Sequence, residues 1–90
     1  MVRVGNYDYQ RSTRYNKKLM TNVQGRIIHF GEAGMQHFKD RTTILSRMDH
    51  GDVKKRDSYL ARSATIRDGK GNLTMDNPLS ANYHSRRVLW

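Results

Sequence analysis

The sequence predicts a small α+β domain, a β-hairpin packed against two or three short helices, preceded by an extended basic N-terminal arm. Three observations predict it. Residues 17–30 alternate apolar and polar groups on either side of Gln24-Gly25, the pattern of a half-buried strand pair. Apolar residues recur at helical spacing within 53–64 and again within 79–90. Residues 1–16, MVRVGNYDYQRSTRYN, show neither period. The chain therefore divides into an arm, 1–16, and one domain, 17–90.

The arm carries three tyrosines and three arginines. Alone it is expected to be disordered; against a partner its Tyr and Arg groups are good anchors, and a solubilising tail fits the same composition. In the hairpin, pairing about Gln24-Gly25 sets Val23 opposite Arg26, Thr21 opposite Ile28 and Leu19 opposite Phe30. Leu19, Val23, Ile28 and Phe30 then share one face, and Met20, Ile27 and His29 the other. Gly25 supplies the positive φ of a tight turn. Two strands are not stable alone, so helices must cover one face.

Gly31 and Gly34 break the strand pattern. Met35, Phe38, Leu45 and Met48 follow at helical spacing, which fits either one helix over 35–48 or a loop and a short helix. Asp49-His50-Gly51-Asp52 reads as a turn, with Asp52 capping a helix from Val53 to Ala64. Its inward stripe would be Val53, Leu60 and Ala64, with Tyr59 at the edge. Ile66 opens a short extended piece, DGKGN at 68–72 is a turn, and 73–76 is irregular. A last helix is expected after Asn77-Pro78, with Asn as N-cap and Pro at the first helical position. Its end, Val88-Leu89-Trp90, is too apolar to be left in water and must dock on this protein's own core or on a partner.

Composition bounds the function. Ninety residues make at most one domain, which buries roughly 60–65% of its unfolded surface and is marginally stable on its own. The absence of cysteine excludes disulfides and thiolate metal sites. No apolar run approaches a membrane span and no signal-peptide apolar region is present, so a soluble chain is expected. The net charge of +9 comes from 17 Lys and Arg against 8 Asp and Glu. Its excess lies in the two ends, and the middle third is nearly balanced. Such a balance attracts nucleic acid or an acidic protein surface.

The four histidines, His29, His37, His50 and His84, stand at irregular intervals, which does not match a zinc site. A small nuclease of the His-Asn-His type would need a hairpin histidine followed by a helix returning a metal ligand. His29 supplies the first and nothing supplies the second. GKGN is too short for a phosphate loop. Lys54-Lys55-Arg56 opposes the dipole of the helix it begins; a salt-bridge lattice with Asp49, Asp52 and Asp57 is favoured over an acidic partner. Arg86 and Arg87 suit a helix C-terminus, and one of them is placed to stack on Tyr83. The candidate partner-binding residues are Tyr7, Tyr9, Arg11, Arg14, Tyr15, Lys17, Lys18, Arg86, Arg87 and Trp90. No catalytic, cofactor-binding or metal-ligating residue is expected.

The motifs HFG at 29–31, HFKD at 37–40, DHGD at 49–52, YLAR at 59–62 and SANYHSRRVLW at 80–90 occur in that order. Together they resemble a family of short basic proteins encoded by large nucleocytoplasmic DNA viruses of algae and protists. The resemblance covers residues 26–90. It rests on Phe30, Gly31, Asp49, Tyr59, Leu60, Arg62, Tyr83, Leu89 and Trp90, which look like a fold signature. The family has Trp where this chain has His84, and His where it has Ser63. The resemblance implies a non-enzymatic virion protein, a minor capsid component bridging or cementing major capsid subunits, assembled in the host cytoplasm. Its expected partners are the major capsid protein and other virion proteins. The alternative is a virion nucleic-acid-binding protein making non-specific phosphate contacts through the basic arm.

Overall fold

The structure, a computed structural model, describes residues Met1–Trp90. It is α+β, with a four-stranded antiparallel sheet in sequence order: β1 (Val2–Val4), β2 (Tyr7–Arg11), β3 (Lys17–Val23) and β4 (Arg26–Glu32). Two helices follow, α1 (Val53–Ser63) and α2 (Ala81–Val88), with single 3-10 turns at Ser46–Met48 and Thr74–Asp76. No helix is long and apolar enough to cross a membrane.

The β3–β4 hairpin has the expected register, with Leu19 opposite Phe30, Thr21 opposite Ile28 and Val23 opposite Arg26. Both turn residues have positive φ, Gln24 at 52° and Gly25 at 85°, which suits a turn whose twist matches the strands. One sheet face meets the rest of the protein. The other carries Gln10, Met20, Asn22, Ile27 and His29.

The expected N-terminal arm is instead two strands of this sheet. Val2 and Val4 pair with Tyr9 and Tyr7, and Tyr9 pairs in turn with Thr21 of β3. Gly5 at φ 62° opens the two-residue turn between β1 and β2. The physical reason is Tyr9. Its ring is 1% exposed and belongs to the core with Leu19, Phe30, Leu45, Val88 and Leu89. The boundary expected after residue 16 therefore disappears, because the two outer strands complete the one core.

Residues 35–48 form a loop with a short 3-10 turn, so the single-helix alternative fails. The Asp40 carboxylate, 1% exposed, accepts from the Thr42 amide at 2.8 Å, the Thr42 hydroxyl at 2.6 Å and the Leu45 amide at 2.7 Å. It satisfies a buried charge and folds the chain back upon itself. Beyond it, Asp52 caps α1 as expected, accepting from the amides of Lys54 and Lys55. The expected inward stripe of α1 forms only in its second half: Val53 is half exposed, Leu60, Ala64 and the edge residue Tyr59 are partly buried, and Ser63 is the helix's one fully buried residue.

The terminal helix begins later than expected. Asn77 Oδ1 accepts from the Leu79 amide, making a turn around Pro78, and Ser80 is the cap of α2. The apolar end docks on this protein's own core: Val88 and Leu89 are 0% and 1% exposed. Backbone bonds from Lys39 to the Leu89 carbonyl and from Arg41 to the Val88 carbonyl tie it to the loop.

Candidate functional site

The ten expected contact residues fall into separate groups. Arg11, Arg14 and Tyr15 lie on β2 and in the following turn, where Tyr15 is 95% exposed. Lys17 pairs with Glu32 at 3.3 Å. Tyr9 and Lys18 are buried, so neither is an anchor for a partner. Trp90 stacks on Tyr59, with ring centroids 4.3 Å apart and planes 12° from parallel.

Four of the ten are brought together. Tyr7, Tyr9, Arg86 and Arg87 line a shallow cavity of about 300 Å³ between the β1–β2 turn and α2, together with Arg41 and Tyr83. Antiparallel pairing places Tyr7 beside this helix, and the helical repeat sets Arg87 one turn after Tyr83. The Arg87 guanidinium lies 4.3 Å from the Tyr83 ring centroid, as its spacing predicted. Tyr7 meets Tyr83 edge to face at 6.3 Å. Arg41 reaches across to the Arg87 carbonyl at 2.9 Å. Arg86 donates to the Leu60 carbonyl and the Ser63 hydroxyl, which holds α1 against α2. No carboxylate lines the cavity. Sequence spacing missed Arg41, whose place is set by the Asp40-centred loop rather than by a helix.

Two buried histidines support this region. His84 Nε2–H donates to the Pro78 carbonyl at 2.6 Å, leaving Nδ1 to accept from the Tyr9 hydroxyl at 2.8 Å. The rings of Tyr7, Tyr9, Phe30 and Tyr83 surround it at 4.9 to 5.8 Å. Burial pushes the His84 pKa down, against the opposing pull of its bond to Pro78, and pushes the Tyr9 phenol up. His37, 0% exposed, accepts from Lys18 Nζ at 3.1 Å and donates from Nε2 to Asp49 Oδ1 at 2.6 Å. Burial lowers its pKa, and the Lys18 charge acts in the same direction while Asp49 opposes both. Lys18 is likewise lowered by burial, with Asp40, Glu32 and Asp49 pulling the other way. The Lys18–His37–Asp49 chain clamps the loop to the sheet.

No family model, curated protein or solved structure matches this chain.

Three fixed guanidinium groups beside two tyrosines can pair with carboxylates, bond carbonyls and stack on planar groups. No group of three His, Asp or Glu side chains is placed to hold a metal ion. His29 instead bonds Ser12, just beyond the end of β2, at 2.7 Å, while His50 lies beside Trp90. The expected lattice around Lys54, Lys55 and Arg56 reduces to one ion pair, Arg56 with Asp57 at 3.3 Å.

Proposed function

We propose that this is a non-enzymatic structural binding protein, a minor capsid component of a large icosahedral DNA virus that bridges or cements major capsid subunits. The binding role is supported by the cluster of Arg41, Arg86 and Arg87 around Tyr7 and Tyr83. Arginine and tyrosine dominate the energetic centres of protein interfaces. Here their side chains are already held by stacking and hydrogen bonds, which reduces the ordering cost of binding. The partner they fit presents acidic side chains. The viral setting is supported by the motif resemblance alone, and it places the protein in the virion, assembled in the host cytoplasm.

A second reading, non-specific phosphate contact in the virion, is favoured by the pairing of charges. Of the 17 Lys and Arg groups, only Arg3, Lys17 and Arg56 lie within ion-pair distance of a carboxylate. Fractionation of purified particles with mass spectrometry separates the two. Fixed stoichiometry in salt-washed, genome-free shells supports the capsid role. Release with the genome as salt rises supports the phosphate role. Absence from particles overturns both.

A further inference from the structure

A second cavity, of about 560 Å³, lies between the loop at 34–36 and α1, with Trp90 at its edge. Lys54, Lys55 and Arg62 line it, and no carboxylate does. None of the three is in an ion pair. Positive groups gathered in a concavity repel one another and focus a positive potential outward. Two of them also oppose the dipole of α1 in its first turn. Folding gains nothing from this arrangement, so a negative ligand is its natural complement.

The polar groups around these cations are hydrogen-bond donors. Ser58 lies one helical turn from Lys54 and from Arg62, and Gln36 lines the cavity from the opposite loop. His50 also lines it. Its Nδ1 accepts from the Asp52 amide at 2.9 Å, which leaves the neutral ring's proton on Nε2. That Nε2 has no hydrogen-bond partner and is shielded from solvent, so the ring borders the cleft without offering it a donor. The free end of α1 is not the attraction, because Asp52 already takes the amides of Lys54 and Lys55.

We infer that this cleft binds a phosphate dianion, free or as a monoester. Three cations along one cleft match its charge, and its oxygens can accept from lysine, arginine and the Ser58 hydroxyl together. A phosphodiester carries half the charge and fits less well. The inference does not rest on the capsid assignment, and a failure of either leaves the other standing.

The test is an NMR titration of the full chain with inorganic phosphate at pH 7.5 and constant ionic strength. Saturable shifts are expected at Gln36, Lys54, Ser58 and Arg62, with smaller ones at Arg86 and Arg87. The triple variant Lys54→Gln, Lys55→Gln, Arg62→Gln should lose saturation while keeping its melting temperature. Ser58→Ala should weaken binding roughly tenfold, the worth of one hydrogen bond to a charged group. An oligonucleotide with hydroxyl ends should bind the cleft more weakly than phosphate does. Non-saturating shifts, equal shifts at all arginines, an unaffected triple variant, or an oligonucleotide preferred to phosphate would each overturn the assignment.

Discussion

Tyr9 donates a 2.8 Å hydrogen bond to His84 across 75 positions of the chain, joining the second strand to the last helix inside the core. Tyr9→Phe leaves the His84 Nδ1 without a donor, and a stability loss of about 1–3 kcal/mol is expected. Deleting residues 1–11 removes the whole Tyr9 ring and should abolish cooperative unfolding. Urea melts followed by circular dichroism test both. An unchanged midpoint in the deletion would make β1 and β2 a dispensable arm after all.

Acid should destabilise the fold well before carboxylates titrate. His29, His37 and His84 are all held below the ordinary value of 6.5, each chiefly by burial. Below that value the unfolded chain takes up protons that the folded chain refuses. Stability is therefore complete above about pH 6.5 and falls as pH drops toward the lower folded values. Urea midpoints at pH 7.5 and 5.5 should differ in that sense, and His84→Gln should flatten the slope. A midpoint that rose on acidification would refute the assignment of neutral buried rings.

Gly31 is the glycine with least freedom to change. Its φ is 80°, and a Cβ there would lie 2.9 Å from Leu89 Cδ1 and 3.2 Å from Lys18 Cβ. Gly31→Ala should cost about 1–3 kcal/mol through overpacking and backbone strain. Gly34→Ala, with open space around it and no positive φ, should be nearly neutral. Equal melting temperatures for the two variants would contradict the packing.

Much of this fold was legible in the sequence, and the misses have identifiable causes. The β3–β4 register followed from alternation about Gln24-Gly25, and the α1 start followed from Asp52, because both signals are local. The outer strands also had a local signal: Val2, Val4, Tyr7 and Tyr9 alternate across Gly5-Asn6, a common hairpin pair. Their shortness and their arginines hid it. The spacing of Met35, Phe38, Leu45 and Met48 imitated a helix, whereas Asp40 bonds three groups of its own loop and imposes a turn. At the site, the Arg87–Tyr83 stack was readable from helical spacing. Arg41 and the cleft of Lys54, Lys55 and Arg62 depend on where loops meet helices, which spacing does not encode.

Removing Val88, Leu89 and Trp90 should unfold the protein. The first two are fully buried and also accept the Lys39 and Arg41 amides. Each large buried apolar side chain is worth about 2–5 kcal/mol when truncated, against a total of about 5–15 kcal/mol for a domain. Calorimetry of the shortened chain should show no cooperative transition. A retained transition would mean that the terminal segment only decorates the core.

The attachment of α1 differs in kind from that of α2. It is held by the Tyr59–Trp90 stack, the Tyr59–Ser85 bond and the grip of Arg86 on Leu60 and Ser63, with only the partly buried Tyr59 and Leu60 as large apolar groups beneath it. Such a helix can lift away while the sheet and α2 stay intact, because little hydrophobic surface is lost in the opening. Its amides should exchange with deuterium through local opening, long before those of β3 and β4. If so, a ligand that engages Lys54 and Arg62 while α1 is docked should also slow that opening.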